Sequence, residues 1–200
     1  GAIAVGNLAR TWAERYLAVP FEIVHPPIAD AKYDALEPIG RGLEIADQDT
    51  EDATAPATST RTDGAGDDPV RILHAGTVSD RAAVAKKNVD LLARVVSSRP
   101  DWELRLLGAG HDQFAYVDRP GVEALGYLEL EDFADEFAVA DVYVQPSAGD
   151  AFPVASLEAM LAGLPTVVST ETGTREVVDD VDPLLVRAPT ARDVRWGIEY

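Results

Sequence analysis

The sequence has no cysteine and only three histidines and three lysines among 200 residues. Without cysteine there are no disulfides, thiolate metal ligands or cysteine nucleophiles, and three scattered histidines leave a metal centre few ligands. Basic charge is scarce as well. Lysine and arginine total 17 against 35 acidic residues, for a formal charge of −18, which argues against general affinity for nucleic acid or an anionic membrane surface. No apolar run approaches the ~20 residues of a membrane span. The N-terminus also lacks the basic-then-apolar order of a signal peptide, so the cytoplasm is the expected compartment. The chain opens on Gly1 rather than Met, already inside the helical pattern Leu8, Trp12, Tyr16, and a preceding segment is therefore expected.

What is present suffices for a core, with 46% hydrophobic and 26% charged residues. Arginine outnumbers lysine fourteen to three and aspartate outnumbers glutamate 21 to 14. This balance resembles the proteins of salt-loving organisms, and a haloarchaeal source is the expectation. A carboxylate-dense surface stays hydrated when high salt screens its self-repulsion. The other reading of the same charge is a surface made for a basic partner.

Helical spacing runs over residues 8 to 19, and a short strand, Phe21 to Val24, ends at the rigid pair Pro26-Pro27. Residues 1–28 are thus read as the tail of an N-terminal domain plus linker. Between Arg41 and Pro69 eight acids face only two arginines, with hardly a large apolar residue after Ile45; residues 29–69 are read as linker and an acidic, disordered insertion.

From residue 70 to 200 short apolar runs alternate with helical patterns. Val70 to His74, Glu103 to Leu107, Val122 to Leu125, Asp141 to Gln145, Thr166 to Ser169 and Leu184 to Val186 read as strands. Asn88 to Ser98, Asp132 to Ala140, Val154 to Leu161 and Ala191 onward read as helices. Continuous apolar runs mark strands covered on both faces, which predicts an α/β fold with a doubly wound parallel sheet. Ligands of such sheets bind beyond the carboxyl ends of the strands, so the loops at Gly76, Gly108, Pro146 and Thr170 are the places to look.

A local scarcity is the most informative feature. In the twenty residues from Ala151 to Thr170 the sole ionisable side chain is Glu158, where average composition gives about five. On a helix starting near Pro153, Glu158 shares its face with Val154 and Leu161. A carboxylate so placed either pairs with a structural group or accepts hydrogen bonds from a ligand's hydroxyls. The small-residue loop Pro146 to Pro153 leads into this helix, and Pro153 suits its first position. The amides of Val154 and Ala155 would then point outward, a site for phosphate. Asp150 lies at the mouth of the same pocket, either as a turn residue or as a ligand group.

The runs Pro146-Ser147, Asp150-Ala151-Phe152-Pro153, Ser156-Leu157-Glu158-Ala159-Met160 and Ala162-Gly163-Leu164-Pro165 resemble the signature of the group 1, or family-four, glycosyltransferases of GT-B fold. That signature is usually a Glu-Gly-Phe-Gly or Glu-Gly-Phe-Pro loop, seven residues between two acids, then Leu-Glu-Ala-Met-Ala-X-Gly-X-Pro. The similarity extends to Gly76-Thr77 with Lys87-Asn88, to Gly108-Ala109-Gly110, to Leu125-Gly126-Tyr127 and to Gly173 through Val178, covering roughly residues 70 to 188.

The resemblance implies the Rossmann-like C-terminal half of a retaining glycosyltransferase. Such a domain binds a nucleotide sugar, such as a UDP- or GDP-sugar, as co-substrate and needs no metal or other cofactor. Carried over by position, Glu158 accepts the ribose hydroxyls and Asp150 faces the donor sugar. Lys87, by its place before Asn88, neutralises the leaving diphosphate, with the adjacent Lys86 as the alternative. Gly76, Gly108, Ala151, Phe152, Pro153 and Val154 line the sugar and phosphate, and the backbone at Tyr127 and Leu128 meets the base. The acceptor would be a lipid-linked or protein-linked glycan, with peripheral membrane association at the inner face.

Two departures accompany the match. Thr77 replaces the usual arginine, for which Arg81, in a loop Ser79 to Ala85, is the candidate substitute, and Asp150 is one methylene shorter than glutamate. With the missing N-terminal half, these departures motivate a second reading, a degenerate or truncated module that binds nucleotide sugar or a partner without catalysis. A dinucleotide-binding domain fits less well, since Gly108-Ala109-Gly110 is not followed by the third glycine. His25 is expected in the linker, His111 in solvent and His74 packed at a strand end.

Overall fold

The computed structural model describes residues 2–4, 6–15, 21–24, 26–48 and 68–200. His25 and the part of the expected insertion from 49 to 67 lie outside the described residues. Near the N-terminus, β1 (Ala2–Ala4) and β2 (Phe21–Ile23) pair in parallel around α1 (Asn7–Glu14).

The main sheet contains β3 (Val70–Ala75), β4 (Trp102–Leu107), β5 (Val122–Gly126), β6 (Val142–Gln145), β7 (Thr166–Ser169) and β8 (Val186–Arg187). Its order is β5-β4-β3-β6-β7-β8, and every pairing is parallel. This is the doubly wound sheet that the continuous apolar runs predict. The last strand begins two residues later than Leu184 because Pro183–Leu185 forms a 3₁₀ turn, capped where Asp182 accepts from the Leu184 amide at 2.8 Å.

Strand alternation divides the core in two. Ile72, Leu104, Leu106 and Val144 face α4 (Val89–Val96) and α8 (Ala191–Glu199), where Leu92, Val96 and Val194 are buried. Leu73, Leu107 and Tyr143 face α5 (Leu130–Val139) and α6 (Val154–Leu161), through Phe137 and Ala159. Two further helices, α3 (Arg81–Lys87) and α7 (Arg175–Val181), stand where the chain leaves β3 and β7.

The linker reading of residues 29–69 needs correction. Residues Asp30–Gln48 form α2, a helix of 19 residues with Pro38 inside it. Leu36 is fully buried among Phe137, Tyr143 and Ala159. Helix propensity over this segment is weak, and burial of one apolar face supplies what propensity does not. The loop expected from Ser79 to Ala85 is likewise α3 from Arg81 onward, with Asp80 as its N-cap accepting from the Ala83 amide at 2.8 Å.

If α2 belongs to the folded unit, Leu36→Ala should lower the unfolding free energy by roughly 2–5 kcal/mol, the usual range for truncating a buried leucine. Denaturant titration measures this. A loss below about 0.5 kcal/mol, the level of an exposed substitution, would restore the linker reading.

Candidate nucleotide-sugar site

The chain leaves β3 toward β4 and β5, then returns across the sheet to β6 and continues to β7 and β8. The loops after β3 and β6 therefore diverge and leave a crevice beyond their carboxyl ends, the position where such sheets bind ligands. Gly76 and Thr77 follow β3, Gly108 follows β4, Tyr127 and Leu128 follow β5, and Asp150 to Val154 bridge β6 and α6.

Backbone contacts pack these loops together. Gly108 has φ +111°, and a Cβ there would stand 2.7 Å from the Gly76 carbonyl carbon, so the turns after β3 and β4 touch through glycine. Asn88 adopts the left-handed conformation that ends α3 and starts α4, and its Nδ2 donates to the Pro146 carbonyl at 3.1 Å. The Ala148 amide donates to the Lys86 carbonyl at 2.8 Å. Both bonds tie the end of α3 to the loop after β6 and carry Lys87 to the crevice. Lys87 Nζ lies 3.8 Å from Asp150 Oδ2 and 2.9 Å from where a Cβ would stand on Gly76. Lys86, its neighbour, is exposed.

Asp150 is held from its other side. Its amide donates to the Glu171 carbonyl at 3.2 Å and its carbonyl accepts from the Gly173 amide at 2.8 Å. A Cβ on Gly173 would fall 1.6 Å from the Ala151 carbonyl oxygen, so only glycine permits this approach. Beneath the loop a buried polar chain replaces apolar packing. Tyr143 donates to Gln145 Oε1 at 2.7 Å, Gln145 donates to Ser147 Oγ at 2.8 Å, and Ser169 donates to the Ser147 carbonyl at 2.5 Å. Burial pushes the Tyr143 hydroxyl far above its ordinary pKa, so it stays a donor.

Pro153 is the N-cap of α6, one residue ahead of the first helical position expected for it. The helix lacks a side-chain cap, and its first amides, Val154 and Ala155, have no intrahelical acceptor. Glu158 lies one turn further along and is only 4% exposed. Its Oε1 accepts from Lys32 Nζ at 2.8 Å, and the same ammonium sits 4.2 Å over the centre of the Phe133 ring. Lys32 lies in the segment expected to be linker, where no local pattern in the sequence marks it as a site residue.

The remaining candidates are more peripheral. Tyr127 is 78% exposed beside the half-buried Leu128. Thr77 is exposed, and Arg81 is exposed on the first turn of α3, six residues from Lys87, forming no ion pair with a described residue. Phe152 is buried, with the position of a Cβ on Gly6 3.0 Å from its ring. The start of α1 docks here too, since Asn7 donates from its amide and its Nδ2 to Glu176 Oε2 at 3.2 and 2.7 Å.

His111, expected in solvent, is instead 1% exposed. Its Nε2 donates to the Gly76 carbonyl at 2.7 Å and its Nδ1 accepts from the Tyr116 hydroxyl at 2.8 Å. Burial lowers its pKa and raises that of Tyr116 to about 12. The pair braces the glycine turn on which Lys87 rests. His74 is fully buried with Nδ1 donating to the Val144 carbonyl at 2.9 Å, and desolvation pushes its pKa down to about 3.

Comparison with known proteins shows the family and the fold. The family described as glycosyl transferases group 1 matches residues 69–198. The chain belongs to the group 1 glycosyltransferases. An uncharacterised glycosyltransferase of Methanocaldococcus jannaschii is 28% identical over 151 residues, covering 70% of this chain and 37% of that protein. A GDP-mannose-dependent monoacylated alpha-(1-6)-phosphatidylinositol monomannoside mannosyltransferase of Corynebacterium glutamicum is 26% identical over 110 residues, covering 49% of this chain and 29% of that one. The chain thus spans about a third of the curated relatives it matches. Among solved structures, the glycosyltransferase WaaG, involved in lipopolysaccharide biosynthesis, superposes with a TM-score of 0.69 at 18% identity, over 99% of this chain and 53% of its own. HepE of Anabaena, solved with UDP and glucose, gives 0.67 at 17% identity, over 98% and 52%. These likenesses establish the GT-B fold for this group 1 chain.

His74 generates a pH test. It is neutral in the folded state, whereas in the unfolded state it binds a proton below about pH 6.5. Its contribution to stability is therefore present above that pH and is lost as pH falls toward 3, at about 1.4 kcal/mol per unit. His74→Asn keeps a donor for the Val144 carbonyl but cannot titrate. Unfolding free energies measured from pH 6.5 to 4.5 should fall less steeply for the variant; parallel slopes would contradict the assignment.

Proposed function

We propose that this chain is the donor-binding half of a retaining glycosyltransferase that uses a nucleoside-diphosphate sugar. The observation that carries the reading is the convergence at the β3–β6 crevice of one cation, Lys87, one half-buried acid, Asp150, and the uncapped N-terminus of α6. Glu158 stands one turn beyond them. In this reading the ribose hydroxyls bond to Glu158, the base lies against the backbone of Tyr127 and Leu128, and the diphosphate occupies the space between Lys87 and the Val154 and Ala155 amides. Gly76, Gly108 and Ala151 to Pro153 line it closely. Asp150 then receives hydroxyls of the donor sugar, and the diphosphate takes over part of the Lys87 charge that Asp150 holds without it.

The chemistry follows from where charge develops. Heterolysis of the anomeric C–O bond leaves an oxocarbenium-like carbon and a nucleoside diphosphate that has gained a negative charge. A fixed ammonium and a helix N-terminus stabilise that charge without reorganising. The acceptor hydroxyl oxygen then bonds to the anomeric carbon on the face the diphosphate leaves, its O–H bond breaking as the proton passes to the departing diphosphate oxygen, and configuration is retained. None of these steps requires a metal.

The acceptor belongs to the part of a GT-B enzyme beyond this chain, and a lipid-linked or protein-linked glycan is the class we assign, with action in the cytoplasm at the inner face of the membrane. The phosphatidylinositol mannoside in the corynebacterial relative's name and the UDP and glucose held by HepE support the acceptor class and the donor class respectively. No helix among the described residues is long and apolar enough to cross a membrane.

One observation favours the second reading, a nucleotide-sugar-binding or interaction module without catalysis. Thr77 stands where the family signature has a cation, and Arg81 forms no ion pair with a described residue. In the full-length protein, donor binding without sugar transfer or release would select it.

Glu158→Ala should weaken UDP or GDP binding at least tenfold by calorimetry, about 1.4 kcal/mol, while melting stays cooperative. Unchanged affinity for both would refute the site. Lys87→Ala should cost the nucleoside diphosphate far more than the bare nucleoside; equal losses would contradict a phosphate role.

A further inference from the structure

Lysine is as rare here as histidine, with three copies against fourteen arginines. Two of the three pair with the two acids of the site, Lys87 with Asp150 and Lys32 with Glu158. The second pairing joins residues 126 positions apart, and no reading of the nucleotide site so far gives it a purpose.

We propose that Lys32 is a positioning residue for ribose recognition: it holds one oxygen of Glu158 and leaves the other to the ribose hydroxyls. The inference rests on the reading that Glu158 takes the ribose. The Glu158 side chain is 6% exposed, and a polar group so buried is costly without a hydrogen-bonded partner. Lys32 provides one from outside the sheet.

Two contacts fix its ammonium, the Oε1 bond at 2.8 Å and the Phe133 ring face at 4.2 Å. The helix is itself anchored one turn on, where Leu36 is fully buried. With Oε1 held from a fixed direction, the carboxylate plane is set. Oε2 accepts no hydrogen bond from a described residue, and its lone pairs can receive the O–H donors of a vicinal diol.

The choice of lysine fits this role. A guanidinium is a planar fork that engages both oxygens of a carboxylate, whereas an ammonium is a point donor that takes one. In a chain that otherwise prefers arginine, the residue facing Glu158 is the one that does not occupy Oε2. Lys32 differs from Lys87 accordingly: Lys87 answers the charge of the phosphate, and Lys32 sets the geometry that reads the sugar of the nucleoside.

The test compares the parent 200-residue chain with Lys32→Met, Lys32→Arg and Glu158→Ala, using UDP and GDP and their 2′,3′-dideoxy analogues in calorimetric titrations. Lys32→Met preserves the packing on Phe133 and removes the charge; Lys32→Arg preserves the charge and adds the fork. Both should weaken the ribose nucleotide about tenfold and leave the dideoxy analogue within about threefold, so that preference for ribose collapses. A purely structural role would weaken both ligands equally.

Ribose preference intact in both lysine variants, or tighter ribose nucleotide binding by Lys32→Met, would overturn the proposal. Should Lys32→Met fail to melt cooperatively, Lys32→Arg decides alone, because it keeps the ion pair. Glu158→Ala separates the two levels. If it leaves ribose preference unchanged, the assignment of Glu158 fails and the role of Lys32 with it. If it erases the preference while both lysine variants keep theirs, only Lys32 fails.

Discussion

The crevice between β3 and β6 is a consequence of winding. The chain leaves β3 for one side of the sheet and β6 for the other, so the loops at their carboxyl ends cannot fill the space between them. Lys87, Asp150 and the start of α6 stand at the rim of that gap. Lys87 reaches it because the left-handed Asn88 ends α3 and bonds to the Pro146 carbonyl. Asp150 reaches it because Gly173 lets the segment after β7 approach the Ala151 carbonyl. The buried chain of Tyr143, Gln145, Ser147 and Ser169 supplies a polar floor in which the donors and acceptors answer one another, so the loop above is held without a large apolar plug.

Electrostatics are handled locally against an unfavourable background. Under the proposed function a chain of formal charge −18 receives an anionic ligand, at a place where its own carboxylates are few and matched. Between Ala151 and Thr170 only Glu158 carries charge, and that charge faces Lys32; Asp150 faces Lys87. Other acids are consumed elsewhere. Arg105 alone bonds Glu103 and Glu123 on β4 and β5 and Glu136 on α5 at 2.5–2.9 Å, a structural network that leaves the crevice free.

Much of this was legible in the sequence because buried parallel strands read as continuous apolar runs. Val142–Gln145 and Thr166–Ser169 are buried at every position, as such runs require. Glu158 was legible through the lack of any other charge around it. What escaped had no periodicity to show. α3 buries no residue, so nothing distinguishes it from a loop, and α2 carries Pro38 and two glycines in a helix kept by tertiary contact. His111 follows a glycine turn that looks solvated, and only the fold brings Tyr116 and the Gly76 carbonyl to it. The Lys32–Glu158 pair spans elements with no local link. The sole hint was compositional, a lysine in a chain that favours arginine.

A structure of the chain with UDP or GDP bound would test the central claim most directly. The account predicts ribose hydroxyls within hydrogen-bond distance of Glu158 Oε2, with Lys32 still on Oε1. It also predicts the diphosphate between Lys87 and the first turn of α6. A nucleotide found away from the β3–β6 crevice, or one whose ribose faces solvent while Glu158 keeps only Lys32, would contradict it.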